Sequence, residues 1–147
     1  AQFAAFAAGF GQVCGGPALG LFTPAELELL VCGDPEIDMR ALERVTKYDG
    51  GFDADHRAIR DFWSVVHSLP IADQKRLLFF ATGCDRAPVG GLENLPFVVQ
   101  RSGPDTEHLP TAHTCFNVLL LPEYASQEKL RDRLAVAIAN AEGFGLQ

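Results

Sequence analysis

The spacing of the apolar residues changes near Pro88, and this change limits the possible folds more than any other feature of the sequence. Before it, apolar residues recur every three or four positions, which places them on one face of a helix. After it, short apolar runs lie between glycines, prolines and polar residues, which indicates strands over 97–99 and 113–121. Helices followed by a small late sheet and a last helix predict an α+β domain.

Residues with known capping preferences mark where the predicted helices begin. Thr23-Pro24-Ala25-Glu26 is a capping box with proline at the first helical position. The other predicted starts are Asp38, Asp55, Pro70 and Ser126. The helix after Asp55 has its apolar residues on one face, so Trp63 is expected in the core.

The start of the chain predicts an interface and a hinge. An apolar stripe on an alanine-rich helix is formed by Phe3, Phe6, Phe10 and Val13. Such a stripe must pack on another surface, and the chain begins at Ala1 within this helical pattern, so we interpret it as a piece of a larger protein. Gly33-Asp34-Pro35 interrupts the chain between two helical patterns and is the predicted hinge.

The composition disfavours several classes of function. The chain has 147 residues, 48% of them hydrophobic, and a net charge of −7, which suits one domain and gives no general attraction to nucleic acid or anionic membranes. No segment has the roughly 20 uninterrupted apolar residues of a spanning helix. The four cysteines show no C-x-x-C spacing, so we expect free thiols in a reducing compartment and no metal site.

Cys115 is the strongest candidate for chemistry among the cysteines and histidines. It lies where a polar loop, 103–110, leads into a predicted strand. On an extended backbone His113 and Cys115 would project to the same face, where an imidazolium lowers the pKa of a thiol. The side chains of Thr114 and Asn117 would then hydrogen-bond the sulfur or an oxyanion. A thiol at the start of an apolar strand also suits a core position, and spacing alone leaves both interpretations open.

The other thiols and histidines are weaker candidates. Cys14 and Cys32 lie among apolar residues in helical patterns and are expected to be buried. Cys84 follows a helix-ending glycine, but the carboxylate of the next residue disfavours a thiolate. His56 and His67 lie on a predicted helix with no partner evident in the sequence.

A long motif surrounds Cys115. It reads LPTAHTCFN at 109–117 and continues as LLLPEY at 119–124. These residues resemble the active-site signature of the HECT-type ubiquitin-protein ligases, and further similar blocks cover almost the whole chain. They are ELELLVCG at 26–33, YDGG at 48–51, TGCDRAPVGG at 82–91 and AEGF at 141–144. DRAPVGGL and GPDTE-x-LP look most like the branch typified by the ligase that papillomavirus recruits.

The resemblance implies the last part of a two-lobed catalytic domain. Residues 1–32 would be the final helices of the N-lobe, 33–36 the hinge, and 37–147 the C-lobe with the catalytic cysteine. The surface that docks the ubiquitin-conjugating enzyme would then lie in an earlier part of the N-lobe. We therefore expect this chain alone to be weakly active.

The resemblance also implies the chemistry. Cys115 would accept ubiquitin as a thioester from a ubiquitin-conjugating enzyme and pass it to a lysine of a protein substrate, with no cofactor. His113, Thr114 and Asn117 would support this step. Phe144 occupies the place of an aromatic residue, near the C-terminus, on which the family relies for transfer. The implied location is the cytoplasm, with the nucleus as a further compartment.

Two other classes of function compete with this interpretation. One is a module that binds ubiquitin or another partner without chemistry. The other is a papain-like hydrolase, which needs a histidine far downstream of its cysteine. No histidine follows Cys115, so the second class is disfavoured.

Overall fold

A computed structural model describes residues 2–141, and the chain forms two units, which divide between Gly33 and Asp34. The first unit contains helix α1, Gln2–Cys14, a 3-10 turn at Pro17–Leu21, and helix α2, Pro24–Cys32. The described residues of the second unit, 34–141, form four more helices and four strands. Within residues 2–141, no helix is both long and apolar enough to cross a bilayer.

The first unit confirms the predicted capping box and leaves its apolar residues uncovered. The Glu26 amide donates to Thr23 Oγ1 over 3.3 Å, and the Thr23 amide donates to the Glu26 carboxylate over 2.7 Å. This backbone hydrogen bond from Thr23 lowers the pKa of Glu26. No residue of α1 or α2 is buried, so the prediction that Cys14 and Cys32 are buried is wrong.

The helices of the second unit are α3, Met39–Val45; α4, Arg57–Ser68; α5, Ile71–Thr82; and α6, Gln127–Ala141. Its strands are β1, Lys47–Asp49; β2, Val98–Arg101; β3, Thr111–His113; and β4, Val118–Leu121. The sheet order is β1-β2-β4-β3, with β3 antiparallel to β4 and the other pairs parallel. This arrangement confirms the predicted α+β class.

Strand β1 has no counterpart in the sequence analysis. It has only three residues, of which Tyr48 is half-buried and its two neighbours are exposed. A segment this short gives no alternating pattern to detect, and the turn signal after it dominates. Its strand conformation comes from parallel pairing with β2, in which Lys47 lies beside Val98, 51 positions later in the chain.

Helices and strands of the second unit share one hydrophobic core, in which α5 lies beside β3 and β4 and α6 packs on α4 and α5. Fully buried side chains include Phe62, Val65, Val66, Val99, Leu119, Leu121, Leu130 and Leu134. Trp63 is 4% exposed, which confirms its predicted place in the core. Its indole nitrogen donates to the Tyr48 hydroxyl over 2.9 Å, and burial raises the pKa of Tyr48.

Helix α4 begins one residue later than predicted. The residue that caps it is His56, whose Nδ1 accepts from the Ala58 amide over 3.2 Å. Asp55 is instead held in a turn, where its amide donates to the Asp53 carboxylate over 2.8 Å. The predicted caps at Asp38 and Ser126 are confirmed by hydrogen bonds of 2.9 and 3.2 Å to the amides of Arg40 and Lys129.

Candidate active site

Cys115 lies in a tight turn between two antiparallel strands. Strand β3 ends at His113, a 3-10 turn covers Thr114–Phe116, and β4 begins at Val118. Asn117 closes the turn in the left-handed conformation, with φ 53° and ψ 42°. Asparagine tolerates this region better than most residues. The predicted continuous strand over 113–121 is therefore wrong.

The turn also changes the predicted relation between His113 and Cys115. Side chains two positions apart share a face only on an extended backbone, and Cys115 is in a 3-10 turn instead. Within residues 2–141, the side chains of His113, Thr114 and Asn117 form no hydrogen bond with one another or with the thiol. The structure thus places the four predicted site residues on one turn without linking their side chains.

Backbone contacts hold this turn at both ends. His113 pairs with Val118 across the antiparallel strands, and the Val98 amide of β2 donates to the Asn117 carbonyl over 3.0 Å. Leu119, the second residue of β4, is completely buried. The turn is consequently attached to the most buried part of the sheet.

The end of helix α5 packs beside the turn. Gly83 ends α5 in the left-handed conformation, with φ 79°, and a Cβ at this position would lie 3.8 Å from Thr114 Cβ. The sequence identified Gly83 only as a helix-ending signal. Its place beside Thr114 depends on a tertiary contact between residues that are 31 positions apart in the chain.

The thiol of Cys115 is on an exposed residue. His113, Thr114 and Phe116 are exposed as well, and Phe116 is 75% accessible. This exposure favours the chemical interpretation of Cys115 over the core one, because an acyl donor must reach the sulfur. The arrangement can present a nucleophile on a turn that strand pairing and backbone hydrogen bonds hold in place.

A groove of about 550 Å³ lies next to the turn. Its walls come from α5, the segment before β3, β3 itself and α6, and include Phe79, Phe80, Leu109, Pro110, Thr114 and Ala137. Thr114 belongs both to this groove and to the turn that carries Cys115. The groove therefore opens beside the candidate nucleophile.

The remaining candidates have structural partners or lie elsewhere. His67 Nε2 is 2.7 Å from the Glu43 carboxylate, and the ring stacks on Trp63. His56 caps α4 and lies 3.9 Å from Glu123, so both histidines have the partners that the sequence did not reveal. Cys84 is exposed in the loop after α5. Residues 2–141 contain no cluster of histidine, cysteine and carboxylate side chains arranged for a metal ion.

The predicted hinge contains one glycine and one anchored aspartate. Gly33 ends α2 with φ 80°, a conformation that favours glycine. The Asp34 backbone exchanges two hydrogen bonds of 2.8 and 2.9 Å with Ala87, and its carboxylate accepts from the Glu36 amide. Pro35 is exposed. The hinge itself stays a prediction, and Phe144 lies outside the described residues.

Substituting Asn117 separates the backbone requirement of the turn from a chemical role of the amide. Asn117→Gly is expected to keep the turn, because glycine tolerates positive φ, whereas Asn117→Val should lower the free energy of unfolding by about 1–2 kcal/mol. Chemical denaturation measures this difference. If the amide supports the reaction, Asn117→Gly loses thioester formation while retaining stability; equal activity with the wild type would assign Asn117 to the turn alone.

A small α+β unit that presents an exposed cysteine on a turn held by backbone hydrogen bonds suits covalent catalysis by a cysteine. Sequence comparison then identifies the family. The profile of the HECT-domain (ubiquitin-transferase) family matches residues 1–147, and the chain belongs to this family.

Several relatives are similar over almost the whole chain. The mouse protein named probable E3 ubiquitin-protein ligase HECTD2 is 52% identical over 146 residues, which are 99% of this chain and 19% of that protein. Human probable E3 ubiquitin-protein ligase HERC4 is 47% identical over 98% of this chain and 14% of its own length. Probable E3 ubiquitin-protein ligase HUL4 of Eremothecium gossypii is 39% identical over 99% of this chain and 18% of its own length. The chain thus spans about a fifth or less of these relatives.

Proposed function

We propose that this chain is the ubiquitin-accepting part of a HECT-type ubiquitin ligase, with Cys115 as the nucleophile. The observation that carries the proposal is the exposed Cys115 on a turn held by β2 and β4. Membership of the HECT family and the names of the relatives support the same activity. The partners are ubiquitin, a ubiquitin-conjugating enzyme and protein substrates.

The reaction consists of two acyl transfers. The Cys115 thiolate attacks the carbonyl of the thioester that joins ubiquitin to the conjugating enzyme, and the thiolate of that enzyme leaves. A substrate lysine amine then attacks the new thioester, an amide bond forms, the amine loses a proton and the Cys115 thiolate leaves. The first step exchanges one thioester for another, so positioning of the sulfur is the main requirement and no cofactor is needed.

His113, Thr114 and Asn117 are the residues to which we assign supporting roles in the reaction of Cys115. Thr114 and His113 directly precede Cys115 in the chain, and we propose that their hydroxyl and imidazole stabilise the thiolate or the oxyanion of the tetrahedral intermediate. Asn117 ends the same turn. We assign these residues supporting roles and Cys115 the covalent one.

Each segment of the chain corresponds, in this proposal, to a part of the two-lobed catalytic domain. Residues 1–32 belong to the end of the N-lobe, 33–36 to a hinge, and 37–147 to the C-lobe, with the conjugating enzyme docked on the earlier N-lobe. Phe144 assists transfer near the C-terminus. DRAPVGGL and GPDTE-x-LP support kinship with the branch of the papillomavirus-recruited ligase. The location we propose is the cytoplasm, with the nucleus as a further compartment.

A ubiquitin with a C-terminal electrophile tests the proposal against a module that only binds. We expect the intact protein to be labelled at Cys115, because the thiol is exposed and the electrophile replaces the thioester carbonyl. Mass spectrometry of the adduct locates the modified residue. The matched control is Cys84→Ala, which removes the other exposed thiol of the second unit and should leave labelling unchanged. Binding without any adduct would favour the alternative.

A further inference from the structure

The loop over 102–110 connects strands β2 and β3. It leaves β2 at Arg101 and enters β3 at Thr111. Strand β3 has only three residues and lies at the edge of the sheet, where β4 is its one strand neighbour among residues 2–141. The turn with Cys115 follows β3 directly. The position of the loop therefore affects the side of the turn that β3 enters, while pairing with β4 and packing against α5 hold its other sides.

Tyr124 holds this loop through a hydrogen bond from a side chain that is buried in the core. The side chain is 1% exposed, and its hydroxyl donates to the His108 carbonyl over 2.7 Å, three residues before β3. The Tyr124 carbonyl accepts in turn from the Arg57 guanidinium over 2.8 Å, which ties the residue to α4. A tyrosine hydroxyl is protonated at neutral pH and can donate, and burial raises the pKa of Tyr124 further, to about 12.

Exposed ion pairs also join this loop to helix α6. The Asp105 carboxylate accepts from the Ala125 amide over 3.0 Å, and Lys129 Nζ lies 3.0 Å from Asp105 and 2.9 Å from Glu107. Arg133 also pairs with Glu107. The hydrogen bonds of Lys129 lower the pKa values of both carboxyl groups. Because exposed pairs are weak and screened by salt, the buried hydroxyl is the firmer attachment.

We propose that Tyr124 is a positioning residue for Cys115. Its hydroxyl holds the His108 carbonyl, fixes the start of β3, and thereby sets the place of the turn that carries the thiol. This inference rests on the proposed function of Cys115. His108 is exposed, so its carbonyl binds water once the hydroxyl is removed. The loop then loses its buried hydrogen bond, while the exposed ion pairs remain and the protein stays folded.

The test is Tyr124→Phe in the intact protein. The ring still fills the core, but the hydrogen bond to His108 is lost. We expect the single-turnover rate of thioester formation, measured with a charged ubiquitin-conjugating enzyme, to fall about tenfold. A misplacement of reacting atoms by 1 Å can lower a rate about a hundredfold, and we expect the sulfur to move by less than that. Alkylation of Cys115 by iodoacetamide should stay within about twofold, since a small reagent needs no defined approach.

Tyr48→Phe is the matched control, because Tyr48 is the other tyrosine of the chain. Tyr48 is on β1, at the opposite edge of the sheet from β3, and its hydroxyl accepts from Trp63 of α4. Both variants lose one hydroxyl hydrogen bond and should melt at lower temperature. Only Tyr124→Phe should transfer more slowly, whereas a purely structural role would lower its melting temperature and leave its rate unchanged.

The outcomes separate this inference from the proposed function. If the wild type forms no thioester at Cys115, the proposed function fails. If the wild type forms it and Tyr124→Phe forms it at the same rate, the positioning role is overturned. Equal slowing in both tyrosine variants would also overturn it, because the effect would then follow from stability rather than from the loop.

Discussion

Replacing Cys115 with alanine is expected to lower ubiquitin transfer by at least about a thousandfold, because the covalent step has no other nucleophile in its place. Cys115→Ser should accept ubiquitin slowly, since a hydroxyl is much less acidic than a thiol, and should hold it as an oxygen ester. Gels run with and without reductant distinguish the two linkages. The wild-type adduct should be cleaved by excess thiol, whereas the serine adduct should resist it.

Cys84→Ala provides the comparison for this result. Cys84 is exposed like Cys115 but lies in the loop after α5. We expect its activity to stay within about twofold of the wild type, because surface substitutions outside a site have small effects. Thioester formation that survives in Cys115→Ala, or disappears in Cys84→Ala, would contradict the assignment of the nucleophile.

Phe62→Ala is expected to have the largest effect on stability, lowering the free energy of unfolding by about 3–5 kcal/mol. Phe62 on α4 is completely buried, and its ring centroid is 5.1 Å from that of Trp63. The substitution removes apolar contacts and leaves a cavity that a close-packed core fills only in part. Since a domain has about 5–15 kcal/mol of stability in all, a large fraction is lost.

Phe116→Ala is the matched control, since it removes the same ring at a residue that is 75% exposed. We expect a change of about 0.5 kcal/mol or less, because the ring is already mostly in water. Urea denaturation of both variants gives the difference in their free energies of unfolding, provided that the free energy depends on urea concentration with the same slope in each. Similar losses in the two variants would mean that α4 does not pack as described.

Local signals in the sequence predicted much of the helical structure. The caps at Thr23, Asp38 and Ser126 depend on hydrogen bonds across two or three residues, so neighbouring letters suffice to find them. Trp63 was placed in the core by the spacing of apolar residues on one helix face. The HECT family, recognised from the motif around Cys115, is confirmed by the family match over the whole chain.

Features that depend on distant segments were not predicted correctly. Strand β1 exists through its pairing with β2, and the partners of His67 and Tyr124 lie on other elements. The predicted strand over 113–121 failed because an apolar run does not reveal a chain reversal at Asn117. The hinge and the roles of the site residues stay predictions.

The sequence by itself determined the α+β class and most helix starts, because each depends on residue type and short spacing. It indicated Cys115 as the candidate nucleophile through the family resemblance of the surrounding motif. Only the tertiary structure decided how Cys115 is presented. A left-handed Asn117, pairing of β4 with β2, and the end of α5 together form the exposed turn. Contacts between segments far apart in the chain lower the free energy of that arrangement, and no local pattern encodes them.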